Sequence, residues 1–214
     1  MPPMPPRSRR DLEQAEAEYK KKLEIEEKLG RKEGMSDAYG NLGAVYLTLS
    51  HLDEAEEMFK KSLEIEEELS NKEGMASDYG YLGTIYQMRD DLEQAENMFK
   101  KSLEINQDLG RKQGVATLYG KLGEVCYIRR DLDQAEDMFK KSLEMEEMPD
   151  NKGAMAKVYG YLGDIYRIRQ DLDMAEGMYK KSLALFQAVG AEHMIEIVKT
   201  MLTNLKKKKS TTNK

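Results

Sequence analysis

Residues 51–90 read HLDEAEEMFKKSLEIEEELSNKEGMASDYGYLGTIYQMRD. Shifted by forty positions, nearly the same text returns. DLEQAE opens at Asp11 and Asp91, DLDQAE at Asp131 and DLDMAE at Asp171. YGxLGxxY stands at Tyr39, Tyr79 and Tyr159, and at Tyr119 with its last aromatic changed. A fixed period of about 20–50 residues marks an array of one supersecondary unit, each copy too small to bury its own apolar face.

The unit is helical. Within 52–69 the apolar residues Leu52, Ala55, Met58, Phe59, Leu63, Ile65 and Leu69 fall mostly three and four apart, which places them on one side of a helix. Glu56 with Lys60 and Glu57 with Lys61 make i,i+4 pairs on the other faces, worth only a few tenths of a kcal/mol each, so the apolar stripe decides the fold. Asp91 with Gln94, and Asp131 with Gln134, have the spacing of a capping box. Gly34, Gly74 and Gly114 follow RKE, NKE and RKQ, and these stretches read as the ends of long helices and their turns. A second, shorter helix follows, for example 75–88, with Met75, Tyr79, Leu82, Ile85, Tyr86 and Met88 as its apolar set. Gly80 and Gly83 lie inside it. An interior helical glycine costs about 0.5–1 kcal/mol against alanine, so its return at the same two places implies a close approach there.

Composition narrows the function classes. The chain has 214 residues with 34 Lys and Arg against 40 Asp and Glu, a net charge of −6, which argues against nucleic acid as the main partner. Cys126 is the single cysteine, so no internal disulfide is possible and no oxidising compartment is required. No apolar run approaches the roughly 18 residues needed to span a bilayer, and no secretory leader pattern starts the chain. A cytoplasmic location is the default expectation. Residues 1–10 hold four of the five prolines and read as a disordered lead.

Tyr39-x-x-Leu42-Gly43-x-x-Tyr46 followed by Ala55-x-x-x-Phe59 resembles the tetratricopeptide repeat, whose pattern is W-x-x-L-G-x-x-Y then A-x-x-x-F. The match recurs at Tyr79, Leu82, Gly83, Tyr86, Ala95 and Phe99, and at Tyr159, Leu162, Gly163, Tyr166, Ala175 and Tyr179. In the third copy Cys126 replaces the second aromatic. The period of forty is similar to the long-repeat class of Pins/LGN-type adaptors and kinesin light chain. The resemblance implies an all-α, right-handed superhelical solenoid of antiparallel helix pairs. Its parts would be a half-repeat over 11–33, repeats near 34–73, 74–113, 114–152 and 153–190, a capping helix over 191–205 and a basic disordered tail over 206–214. Met148-Pro149-Asp150 is expected to end the long helix of the fourth unit early.

Nothing in the text assembles a catalytic or metal site. His51 stands where other copies have Asp and reads as a helix-start residue, His193 is isolated, and Cys126 occupies a core aromatic position. The GxxG pairs lack a preceding strand and a GK[ST], so they are not phosphate loops. No cofactor, metal or small-molecule substrate is expected. Lys206–Lys209 reads as cations favoured by a helix C-terminus. The resemblance implies protein–protein interaction through a concave surface lined by the shorter helices. In related repeats an Asn before Leu-Gly contacts the partner's backbone. Asn41 holds that place here, and Tyr81, Lys121 and Tyr161 hold it in later copies. The same face should carry Ala44, Thr84, Glu124 and Asp164, then Leu47, Gln87, Tyr127 and Arg167. This lining suits a peptide or helix with both charge signs and apolar anchors. The alternative is a structural self-associating protein, a homo-oligomer through open solenoid ends, either a homodimer through the open side of helix 11–29 or stacked solenoids.

Overall fold

The computed structural model describes residues 9–145 and 151–212. Every regular element among them is α-helical. They form α1 (Arg9–Leu29), α2 (Lys32–Thr48), α3 (Leu52–Glu68), α4 (Lys72–Met88), α5 (Leu92–Asp108), α6 (Lys112–Ile128), α7 (Leu132–Met145), α8 (Lys152–Ile168), α9 (Leu172–Val189) and α10 (Glu192–Thr212). The chain divides into two compact units, residues 1–109 and 110–214. In the first, α1 packs on α2, α2 on α3, α3 on α4 and α4 on α5. In the second, α6 packs on α7, α7 on α8, α8 on α9 and α9 on α10, with α6 also touching α8.

Each even-numbered helix and the odd-numbered one after it share a glycine-and-ring joint. Leu42 and Gly43 of α2 are buried beside Phe59 of α3, which is wholly buried. A methyl group on Gly43 would lie 2.9 Å from the Phe59 ring, and one on Gly83 would lie 2.6 Å from Phe99. Gly123 meets Phe139 and Gly163 meets Tyr179 at 2.6–2.7 Å in the same sense. The close approach read from the sequence therefore exists at the second glycine of each pair. At the first it does not: Gly40, Gly80, Gly120 and Gly160 have their nearest neighbour, a serine Oγ, at 3.5–3.7 Å. Those serines add a joint of their own. Ser62, Ser102, Ser142 and Ser182 are buried and donate to the carbonyls of Ser36, Ala76, Ala116 and Ala156 at 3.3, 2.6, 2.8 and 2.7 Å. Ala55, Ala95, Ala135 and Ala175 complete the contact with no exposed surface.

The turns differ from the sequence reading. RKE and NKE do not end helices; α2 and α4 begin inside them, and the reversals lie earlier, at Gly30 and Ser70 with φ of 63° and 55°. Ser50, Asp90, Arg130 and Gln170 take the same left-handed conformation at the other turns. At Ser50 the backbone closes as a Schellman motif, with Ser50 N donating to Leu47 O at 3.0 Å and His51 N to Tyr46 O at 2.9 Å. The two helices of a repeat are also equal in length, seventeen residues each in α2 to α6, because the early start lengthens the second helix of the text. Asp91, Asp131 and Asp171 cap the following helices, their carboxylates accepting from the Gln94, Gln134 and Met174 backbone N–H groups, in that order, at 3.1–3.3 Å.

The ends depart further. α1 starts at Arg9, ahead of the expected Asp11. α10 does not stop at 205: it runs to Thr212, so Lys206–Lys209 are helical. Lys209 is the physical reason, since its ammonium lies 2.6 Å from both Asp173 and Glu176 of α9 and ties down the last turns. Arg89 pairs with Asp53 and Glu56, and Arg169 with Asp133 and Glu136, at the matching places two repeats apart. The proline-rich segment 1–8 and the Met148-Pro149-Asp150 stretch lie outside the described residues.

Candidate functional site

The sequence-derived site residues fall on even-numbered helices in two groups, one per unit. In the first unit α2 carries Asn41, Ala44 and Leu47, and α4 carries Tyr81, Thr84 and Gln87. Asn41 is exposed, but its side-chain N–H donates to its own helix at Asp37 O, 2.6 Å away. Thr84 likewise donates to Gly80 O at 3.0 Å. Ala44, Leu47 and Gln87 are half-buried. Tyr81 lies flat on Phe59 of α3, with centroids 4.5 Å apart and planes 10° apart, and remains 42% exposed. One ring face is fixed by the core and the other is free for a ligand.

In the second unit α6 carries Lys121, Glu124 and Tyr127, and α8 carries Tyr161, Asp164 and Arg167. Tyr161 stacks on Phe139 of α7, with centroids 5.1 Å apart, and meets Tyr127 at 5.3 Å in a tilted pair. Burial drives the Tyr161 hydroxyl up to about 12, and Glu124, Tyr127 and Asp164 push it the same way, so it is a permanent donor near neutral pH. Lys121 Nζ sits 3.0 Å from Glu124. Arg167 sits 2.9 Å from Asp164, which also accepts from the Tyr179 hydroxyl at 2.8 Å. Both acids of this face are thus held by fixed donors.

A cavity of about 410 Å³ opens among these groups. Lys121 and Glu124 form one side, and Lys157, Tyr161 and Asp164 of α8 form another. α10 supplies Met194, Ile197 and Met201, which sequence reasoning did not place at the site. A signal for Met201 was available: it lies forty positions beyond Tyr161 and eighty beyond Lys121, so the row runs on into the capping helix. Lys157 is exposed on the α8 turn before Tyr161 and has no ion-pair partner among the described residues. The result is a pocket with an apolar wall on α10 and a charged rim on α6 and α8, of the size and mixed lining that hold a bulky side chain.

Cys126 is 8% exposed and packs with Ala135, Phe139, Leu162 and Ile165. His51 is an exposed helix-start residue whose side chain caps nothing. Among the described residues no group of three or more His, Cys, Asp or Glu is placed to hold a metal ion. No described helix is long and apolar enough to cross a membrane.

The family model of the tetratricopeptide repeat matches residues 7–68 and 75–147, well over half of the chain. The chain belongs to the tetratricopeptide repeat family. Its fold is the all-α helical-repeat solenoid of that family. BtubC (BKLC) from P. vanneervenii is similar at 19% identity, covering 93% of this chain and 92% of that one with a TM-score of 0.68. MamA is similar at 22% identity over 85% of this chain and 92% of its own, TM-score 0.61. A Podosopora anserina putative kinesin light chain with nearly identical TPR-like repeats is similar at 13% identity over 86% and 89%, TM-score 0.64. Identities this low show the fold alone. No curated protein sequence matches the chain. Tetratricopeptide repeats generally serve as protein-interaction scaffolds.

Proposed function

We propose that this chain is a non-catalytic interaction scaffold whose α6–α8–α10 face binds a peptide or helix of a partner protein. The observation that carries this reading is the cavity itself, where Met194, Ile197 and Met201 face paired and unpaired charges on α6 and α8. The apolar wall would hold an anchor side chain, and Lys121, Lys157 and Arg167 would meet acidic groups beside it. Lys121 and Arg167 are paired with Glu124 and Asp164, so Lys157 carries the net positive charge of this rim. In the first unit Tyr81 offers a second stacking surface. A cytoplasmic setting belongs to the same reading and rests on the lone buried cysteine, which asks for no oxidising environment. Selection of a displayed peptide library on the full chain tests the proposal. Peptides should be recovered by the native chain and lost on the Tyr161→Ala, Met201→Asp double variant. Equal recovery on both would refute it.

One observation favours a second reading, self-association through α1. Ala15 and Tyr19 are partly exposed where their counterparts Ala55 and Phe59 are wholly buried, and Ile25 and Leu29 are 46% and 53% exposed. Light scattering across a concentration series separates the readings, since a dimer through this face would give twice the monomer mass and Tyr19→Lys would abolish it.

A further inference from the structure

The joint between α3 and α4 contains an acid pair that no other described repeat repeats. Glu66 of α3 is 6% exposed and Asp78 of α4 is 4% exposed. Each has one buried carboxyl oxygen, Glu66 Oε2 and Asp78 Oδ2, with no hydrogen-bond partner. The positions forty before and after Asp78 are apolar, Ala38, Leu118 and then Val158, and all three are buried. The position forty after Glu66 is Asn106, which is buried but satisfied, donating to Ser102 O at 2.8 Å. Gly74 allows the Glu66 carboxyl to lie against α4, since a methyl there would be 2.4 Å from its Cδ.

Two ionised carboxylates in such a place would be costly, because a buried charge needs a counter-charge or a full set of donors. None is supplied. Neither acid forms an ion pair among the described residues. From α3 the pair is faced by the Ser62 hydroxyl, whose bond also reaches Ser36 O of α2. From α5 the nearby Ser102 hydroxyl is committed to Ala76 O. A proton is the one partner that turns a carboxylate oxygen into a donor and removes the repulsion at once. We propose that Asp78, buried beside Glu66, holds a proton that makes the α3–α4 joint pH-sensitive, closed while the proton is bound and loosened when it leaves. Burial, opposed by Ser62 and aided by Glu66, pushes the Asp78 carboxyl up to about 7 from an ordinary 3.8. A raised folded-state value means that the contribution to stability is complete below the ordinary carboxyl range and is lost as pH rises through about 7. Tyr81 stands on α4 and leans on Phe59 of α3, so loosening this joint would also free one wall of the first unit's even-helix face.

Hydrogen exchange of the full chain at about pH 5.5 and about pH 9, corrected for intrinsic rates, tests the joint. Protection of α3 and α4 amides should fall at least about tenfold at the higher pH in the native chain and stay level in Asp78→Leu, which installs the side chain found at 118. Should Asp78→Leu misfold, Asp78→Ala installs the side chain found at 38 and should also level the profile. The carboxyl-carbon resonance of Asp78 supplies an independent readout: that group should stay protonated at about pH 5.5. Ionisation of Asp78 at that pH, an unchanged pH profile in both variants, or a stoichiometric metal ion copurifying with the native chain would each overturn the proposal.

Discussion

Replacing Gly83 by alanine separates the two glycines of the repeat signature. The new Cβ would lie 2.6 Å from both Cδ1 and Cε1 of Phe99 and 3.1 Å from Cγ. Ordinary carbon contacts are about 3.5–4.0 Å, so two ring atoms overlap by about 1 Å. Phe99 is 1% exposed and has nowhere to swing. Overpacking of this kind costs about 1–3 kcal/mol, and the depth of overlap places it near the top of that range. Against it stands the gain of about 1 kcal/mol when alanine replaces a helical glycine, leaving a net loss of about 2 kcal/mol. Gly80, one turn earlier on the same helix, gives the opposite sign. Its added Cβ would meet only Ser102 Oγ at 3.6 Å, so Gly80→Ala should gain about 0.5–1 kcal/mol. Urea unfolding followed by far-ultraviolet circular dichroism measures both against the native chain. Two variants within about 0.5 kcal/mol of each other would refute the ring-against-glycine account of the joint.

Other perturbations follow from the same contacts. Ala95→Asp buries an unpaired carboxylate at a site with no exposed surface and should cost several kcal/mol, read as a melting temperature many degrees lower. Arg130→Gly relieves a non-glycine residue at φ 67° and should raise stability by about 1 kcal/mol. Burial opposes ionisation of Glu56 and Glu136, but hydrogen bonds from Lys60, Arg89 and Tyr86, and from Lys140, Tyr166 and Arg169, outweigh it and hold both carboxyls at about 2. A lowered folded-state value contributes stability above the ordinary 4.5 that is lost as pH falls through about 2, so an acid titration of Arg89→Met should show a smaller loss across that window than the native chain. Cys126 should label slowly with a thiol reagent in the native state and quickly in denaturant.

The repeat text made the helix pairs legible because period forty and the three-and-four spacing are both properties of a single face. It pointed to a close approach at both glycines of each pair, but not to the ring that makes it, and only the second glycine, Gly83 against Phe99, has one. The turns were harder to read. A serine, an aspartate or an arginine holds the left-handed position at Ser50, Asp90 and Arg130, and where glycine holds it, at Gly30 and Gly110, the repeating Gly34 and Gly114 drew the reading four residues too far along. The tail was misread because Lys206–Lys209 shows charge, whereas its order depends on acids of α9 more than thirty residues away. Of the candidate residues, Lys121, Glu124, Tyr161 and Asp164 were placed on one face by register, and all four line one cavity. Met194 and Ile197 were missed because α10 lacks the YGxLG signature, so its register with α8 is visible only in space. Asn41 was read as a partner contact, and its amide is bonded to its own helix.

Hydrogen exchange of the full chain with and without a selected peptide bears most directly on the central claim. The account predicts added protection on α6, α8 and α10, centred on Tyr161 and Met201, with α7 and α9 little changed on their outer faces. Protection confined to those outer faces, or to α1, would contradict it.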